Sequence, residues 1–194
     1  MWSQLSPGLR INIFFTLVLG IAYPLLITGI SQVAFPHQAN GSLITANGKV
    51  IGSEWIGQNF AKPEYFQPRP SAAGNDGYDA TSSGASNYGP TNQKLVDRVK
   101  ASIAKFRKEN PDYQGPIPAD LVTTSASGLD PDVSPDSAKV QEARVAKARG
   151  IAVDQLDQLV AQNTEQPDLG LLGEPRVNVL RLNLALDARY PVRK

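Results

Sequence analysis

From Ile11 to Phe35 the chain carries no charged residue, and 17 of those 25 positions are apolar. Wound as a helix, the run is about 37 Å long, enough to cross a hydrocarbon core of about 30 Å with some tilt. A cleaved secretory leader has a shorter apolar region, about 7–15 residues, and a small-x-small cleavage site. Neither Gln32-Val33-Ala34 nor His37-Gln38-Ala39 is a good one. A buried core helix would carry charge on a solvent face. The pattern therefore predicts a retained single span. Within it Asn12, Thr16, Gly20, Pro24, Thr28 and Gln32 recur every four residues, while Leu, Ile, Val and Phe fill most of the rest. In a membrane, small residues let helix backbones approach and polar side chains bond between helices. The stripe thus reads as a packing seam against other membrane helices. Gly20 lies four before Pro24, where the proline ring crowds the preceding turn and one backbone bond is lost, so a mild kink is expected there. The alternative is ordinary tolerance of Gly, Pro and Thr within spans.

Beyond the span the pattern turns mixed. Ser42–Thr45 and Lys49–Gly52 flank Ala46-Asn47-Gly48, and Asn-Gly between apolar runs is a strong hairpin signal. Trp55, Ile56 and Phe60 are candidate core, with Tyr65 and Phe66 continuing the aromatic group. Residues 67–93 contain no Val, Leu, Ile, Met, Phe or Trp. A coreless stretch of that length is either functional or disordered. An amphipathic helix follows over 92–109, with Leu95, Val99, Ile103 and Phe106 on one stripe, a cap at Thr91 or Asn92, and a stop at Asn110-Pro111. Ser134-Pro135-Asp136 starts a second helix that runs to Arg149 and stops at Gly150. A third spans Val153–Ala161, with Leu156, Leu159 and Val160 inward. Residues 176–182 read as a strand, and Asn183 as the cap of a short last helix, Leu184–Arg189. The fold class is a single N-terminal transmembrane helix plus an α+β extracytoplasmic domain with a small sheet. Residues 1–10 form a short cytoplasmic N-terminus, 11–35 the transmembrane helix, and 36–194 the extracytoplasmic, periplasmic domain.

Charge supplies the orientation. Arg10 and the α-amine precede the span, and no Lys or Arg follows it until Lys49. The positive-inside rule then puts the N-terminus in the cytoplasm, with Trp2 as an interface anchor. Residues 36–194 hold 18 basic and 18 acidic residues, which gives no basic stripe for nucleic acid. Zero cysteines exclude disulfides, thiolate metal sites and a Cys nucleophile, and the single histidine, His37, excludes a His-rich metal centre.

The search for chemistry is short. Ser102-Ile-Ala-Lys105 matches S-x-x-K, but the partner motifs of penicillin-binding enzymes are absent and the match sits on an amphipathic helix. Gly48-Lys49 lacks the rest of a P-loop. Asp130, Asp132 and Asp136 resemble a calcium loop, yet Pro135 and Gln141 stand where its glycine and glutamate belong, so acids at a helix start explain them better. No catalytic constellation emerges. The residues alone describe a membrane-anchored domain suited to an accessory role, with an anchored envelope enzyme or a solitary binding module as alternatives.

An ordered set of strings adds a family. These are Tyr23-Pro-Leu-Leu26, Ala39-Asn-Gly-Ser-Leu-Ile44, Ile56-Gly-Gln-Asn-Phe60, Tyr65-Phe66 leading into Arg69-Pro-Ser-Ala72, and Ser83-Gly-Ala-Ser-Asn87. Further on come residues 121–130, Arg144-Val-Ala-Lys-Ala-Arg149, Val177-Asn-Val179 and Leu182-Asn-Leu-Ala-Leu-Asp187. Together they resemble the KdpC family, the C subunits of the bacterial Kdp potassium-transporting P-type ATPase. Ala85 departs from the family's usual Ser-Gly-Gly-Ser-Asn. The resemblance implies a place in the cell inner membrane beside KdpA, the channel-like translocating subunit, KdpB, the ATP-hydrolysing subunit, and KdpF, a small single span. It implies ATP, magnesium and potassium at the level of the complex, with no cofactor held by this chain. Arg69, Pro70, Ser71, Ser83, Gly84, Ser86 and Asn87 become candidates for a subunit-interface loop. Two roles follow from it. One is a non-catalytic subunit that assembles and stabilises the complex. The other is a catalytic chaperone that raises the ATP affinity of KdpB, for which Gln141, just before Arg144-Val-Ala, is the nucleotide candidate.

Overall fold

The computed structural model describes residues 2–46 and 48–192, without the side chains of residues 2 and 3. The Asn47 turn position and the Trp2 side chain lie outside the described residues. The chain divides into two compact units, Met1–Ile51 and Gly52–Lys194.

The first unit opens on α1 (Trp2–Leu17), which passes through one wide turn (Val18–Ala22) into α2 (Tyr23–Ala34). Of this, Gln4–Ala34 is apolar enough to cross a membrane, with mean hydropathy 2.2 in its best window, and that window is not buried against the rest of the chain. The wide turn is where the Gly20–Pro24 spacing predicts a disturbance. Pro24 has no N–H to offer Gly20, and the Tyr23 N–H bonds to the Val18 carbonyl, five residues back. A short helix, α3 (Pro36–Ala39), and a hairpin of β1 (Leu43–Ala46) and β2 (Lys49–Ser53) follow.

In the second unit a long segment without regular structure leads to α4 (Gln93–Glu109), capped by the Asn92 side chain accepting from the Lys94 N–H at 2.9 Å. Then come β3 (Asp132–Val133), α5 (Pro135–Lys139), α6 (Glu142–Arg149), α7 (Val153–Gln162), β4 (Thr164–Glu165), β5 (Arg176–Asn178) and α8 (Val179–Arg189). β5 is the middle strand of a three-stranded antiparallel sheet, pairing Val177 with both Val133 and Thr164. The core lies between this sheet and the helices: Phe66, Val133, Val145, Leu156, Val177, Leu182 and Leu186 are among its fully enclosed members. The α+β class and the small sheet agree with the sequence reading, and the hairpin makes the sheets two.

Five local expectations are corrected. The strand expected over 176–182 ends at Asn178, whose side chain accepts from the Arg181 N–H at 3.0 Å and starts α8 there. Val179, Leu182, Asn183 and Leu186 are then buried at helical spacing, so Asn183 is a helix-interior residue and not a cap. The single helix expected over 135–149 is broken at Val140-Gln141, where the chain tightens and the Gln141 N–H bonds to Ala138, three back. Trp55 is exposed, while Ile56 and Phe60 are half-buried, Phe60 against the core. On α4, Ile103 faces outward, while Leu95 and Val99 are half-buried and Phe106 is buried.

One buried charge is unresolved by pairing. Glu142, in the first turn of α6, is 3% exposed, and its Oε1 has no hydrogen-bond partner among the described residues. Burial, with a smaller push from Asp157 against the pull of Lys139, raises its carboxyl to about 7. The folded state therefore holds this proton over a range where the unfolded chain has lost it, so stability falls as pH rises from about 4.5 to 7 and the cost is complete above 7. Glu142→Gln removes that cost. Thermal melts of the full chain in detergent are expected to show it more stable than the parent by roughly 2 kcal/mol above pH 7, with the gap closing below about pH 4.5.

Candidate functional site

The centre of the second unit is a strap, residues 63–67, which opens on a turn closed by the Tyr65 N–H on the Lys62 carbonyl and is held by side chains in place of a neighbouring strand. Arg144 Nη1 donates to the carbonyls of Pro63 at 2.6 Å and Tyr65 at 2.9 Å. Arg149 Nε donates to Glu64 O at 2.8 Å. Asn183 both accepts from the Phe66 N–H and donates to the Phe66 carbonyl, each at 2.9 Å. Gln141 does the same for Gln67, accepting at 2.8 Å and donating at 3.1 Å. Every carbonyl from Pro63 to Gln67 is thus taken by a side chain of α6, of α8 or of the α5–α6 joint. The helices place these groups by their own geometry. The break before α6 turns Gln141 inward, and the helical run of α8 points Asn183 the same way as Leu182 and Leu186.

The fasteners are themselves tied together. Arg144 Nη2 donates to Gln141 Oε1 at 2.7 Å and its Nε to Asn110 Oδ1 at 2.9 Å. Arg149 pairs with Asp187 at 2.7 Å and stacks over the Tyr65 ring, whose hydroxyl donates to the same carboxylate at 2.9 Å. Burial pulls the Arg144 guanidinium down to about 10, which leaves it charged at neutral pH. Burial, and then the Asp187 carboxylate, push the Tyr65 hydroxyl upward.

The polar stretch that follows the strap is ordered. Arg69 pairs with Asp130 at 2.8 Å, and Ser71 Oγ donates to the Gly128 carbonyl at 2.6 Å while accepting from the Tyr78 N–H. The Tyr78 hydroxyl donates to the Arg69 carbonyl, and burial raises its ionisation far above the usual range. Asp79 ties the turn through Thr81 and Ser82, which hold its carboxyl below the ordinary value. Ser83 Oγ and the Gly84 N–H both donate to the Ser127 carbonyl, and Ser86 accepts from Arg98, which lies over Tyr88. Gly128 makes the close approach possible. Its φ is +69°, and a Cβ there would stand 2.7 Å from the Gly84 carbonyl and 2.8 Å from the Ala73 nitrogen. Against α4 the stretch leaves a cavity of about 330 Å3 edged by Arg69, Tyr78, Arg98 and Gln141.

Of the loop candidates, Arg69, Ser71, Ser83, Gly84 and Ser86 are thus drawn together along residues 127–130 and α4, with Pro70 and Asn87 in the same stretch; Asn87 has φ +49°. Gln141 sits apart from solvent in the strap. Asp130 and Asp132 are engaged with Arg69 and Arg176, and burial, then Asp130, raise the Asp132 carboxyl; Asp136 lies in the first turn of α5. Lys105 lies 4.0 Å from Glu109 along α4. No group of three metal-binding side chains occurs among the described residues. In the first unit the stripe is partly self-satisfied: Thr28 Oγ1 donates to the Pro24 carbonyl at 2.8 Å, Thr16 Oγ1 to Asn12 Oδ1 at 3.4 Å, and Gln32 bonds Asn40. Of the neighbouring side chains, a Cβ on Gly20 would meet only Thr16 Cγ2, at 3.9 Å.

Sequence reasoning missed the strap fasteners Arg144, Arg149 and Asn183 as a set. The usable signal was two arginines five apart in an Ala-rich helix, with no acids spaced to pair with both.

These features define a class: an α+β domain carried by one membrane-length helix, whose central polar groups are spent on holding the chain together. Comparison with known proteins narrows the class. The model of the family described as KdpC, K+-transporting ATPase, c chain, matches residues 5–188. A potassium-transporting ATPase KdpC subunit from Caulobacter vibrioides is 58% identical over 192 residues, covering 98% of this chain and 96% of the relative. Those of Koribacter versatilis and Rhodospirillum rubrum are each 55% identical, over 193 and 192 residues, with coverage of 98% or more on both sides. The chain belongs to the KdpC family of potassium-transporting ATPase subunits.

The strap makes a direct prediction. Asn183→Ala leaves the buried Phe66 N–H and carbonyl both unpaired, at about 1–3 kcal/mol for each buried group left without a partner. Urea unfolding of the full chain in detergent is expected to show a loss of at least about 2 kcal/mol, larger than that for Ser83→Ala, whose hydroxyl bond is exposed.

Proposed function

We propose that this chain is a non-catalytic accessory subunit of a high-affinity, ATP-driven potassium uptake complex. It assembles and stabilises the channel-like KdpA and the ATP-hydrolysing KdpB, beside the small KdpF. In this reading the N-terminus is cytoplasmic, the span lies in the inner membrane, and the α+β domain is extracytoplasmic. ATP, magnesium and potassium belong to the complex.

The observation that carries the reading is the spanning helix. It is long and apolar, buries no part of its best membrane window against its own chain, and carries a stripe with Gly20 where the only neighbouring side chain within reach of a Cβ is Thr16, at 3.9 Å. In lipid there is no hydrophobic force between helices, so association rests on close packing and polar bonds. A small-and-polar stripe on an otherwise apolar helix suits that role, and helices of the translocating subunit are the natural counterpart.

The chaperone role needs no nucleotide contact by this chain if coupling runs through packed helices. Direct contact through Gln141 is disfavoured by its surroundings. The side chain is 1% exposed, its oxygen accepts from Gln67 and Arg144, and its nitrogen donates to Gln67 and Ser137.

Two measurements test these statements. Tagged full-length chain, taken from mild-detergent membranes with the other subunits expressed, is expected to bring down KdpA and KdpB, and Thr16→Leu/Gly20→Leu to recover at least fivefold less. Equal recovery would move the attachment to the soluble unit, and capture of nothing by the parent would end the complex reading. Gln141→Ala is expected to lower the melting temperature of the chain while leaving the KM for ATP of the assembled complex unchanged. A severalfold rise in that KM with unchanged melting would instead establish nucleotide contact.

A further inference from the structure

Residues 167–175 form a tight turn between Pro167 and Pro175 that projects three leucines into solvent: Leu169, Leu171 and Leu172 are 91%, 86% and 63% exposed. The turn is built, not loose. Asp168 and Leu172 exchange both backbone hydrogen bonds at 2.9 Å, and the N–H groups of Gly170 and Leu171 close on the carbonyls of Pro167 and Asp168. Leu169 has φ +55°, a left-handed backbone where Gly, Asn or Asp is the ordinary choice. Strain of that kind persists where the surroundings impose it and clusters at functional positions. Here it holds a bare leucine outward at the tip.

The charge around the tip says what covers it. Between Arg149 and Arg176 there is no lysine or arginine, while Asp154, Asp157, Glu165, Asp168 and Glu174 are all acidic. Glu165 is paired with Arg176 and Arg181, and Asp157 with Lys139, but Asp168 and Glu174, which bracket the leucines, make no ion pair among the described residues. An anionic bilayer surface repels such a tip, and the turn has no Trp, Tyr, Lys or Arg to anchor it in headgroups. A second copy fits no better. Tip against tip would set the same two carboxylates against each other, and tip against another face is a head-to-tail contact, which builds a ring or an open filament in place of the common two-fold dimer.

We infer that the Leu169–Leu172 tip is a docking element that inserts into an apolar pocket with a basic rim on another subunit of the transport complex. This rests on the subunit reading above and names the element of the soluble unit that carries the contact.

The test places the photoreactive residue p-benzoylphenylalanine at Leu171 of the full-length chain, co-expressed with the other subunits and irradiated in native membranes. A covalent adduct with another subunit is expected. The adduct should fall at least fivefold when Leu169→Ser and Leu172→Ser are added, with co-purification of the complex and circular dichroism unchanged. Adducts with lipid alone, adducts with a second copy, or no adduct while the complex co-purifies would each overturn the docking element and leave the subunit reading standing. Failure of the unmodified chain to co-purify with any other subunit would overturn both.

Discussion

The second unit depends on one constraint: a strap that runs from a turn into the core without a strand beside it. Phe66 is wholly buried at its middle, so the backbone there cannot turn to water for its hydrogen bonds. The solution is a set of long polar side chains. Arg144, Arg149, Asn183 and Gln141 reach the strap and take each of its carbonyls in turn, and the two amides also receive the N–H groups of Phe66 and Gln67. An amide offers a donor and an acceptor side by side, which matches the paired needs of one backbone residue; a guanidinium offers several donors and suits successive carbonyls. Replacing any of them by an apolar residue of similar size would fill the space and strand the backbone.

That constraint accounts for residues that carry the family resemblance. Tyr65-Phe66 is the strap itself, Arg144 to Arg149 supplies its two guanidinium clamps, and residues 182–187 supply Asn183 and the Asp187 carboxylate that orients Arg149 and Tyr65. Residues 127–130 receive the polar stretch that leaves the strap, and Gly128 is required by both its φ and its neighbours. Motif residues that look like candidates for chemistry therefore have bonds inside the chain to make. Gln141 is the clearest case, since each of its donor and acceptor contacts is spent on the strap, on Arg144 or on the turn of α5.

What the sequence conveyed follows from which physics is local. The long apolar helix, the hairpin, α4 and α7 have one-dimensional signatures in charge, turn chemistry and period, and the structure has each of them. The stretch at 176–189 misled because Val177, Val179 and the leucines after it suit a strand by propensity, and only the Asn178 cap, bonded to the Arg181 N–H, decides that the chain coils one residue later. The polar stretch over 67–93 could not be read at all from apolar content, because serine, aspartate and tyrosine bonds order it in place of a core. The candidates on that stretch, Arg69, Pro70, Ser71, Ser83, Gly84, Ser86 and Asn87, were grouped through the family strings. Their placement along residues 127–130 was not legible, because it depends on contacts made some forty to sixty residues away.

The two surfaces proposed above to meet partners obey opposite rules, each suited to the solvent that the proposal gives it. In the bilayer, leucine gains nothing by leaving lipid for a neighbouring helix, so a specific contact there must come from small residues and satisfied polar groups. The membrane-length helix displays Gly20, Thr16 and Thr28 with the threonine hydroxyls already bonded within the helix, as a lipid setting requires. In water the ordering reverses. A polar surface is already satisfied there, and removal of large apolar side chains from solvent is the force that drives association. The second unit holds Leu169, Leu171 and Leu172 outward on a strained, hydrogen-bonded turn, and in the docking proposal the neighbouring Asp168 and Glu174 choose among partners by charge. Small and polar where the surroundings are oily, large and apolar where they are wet: each face carries the residues that its own surroundings do not reward unless a partner is present.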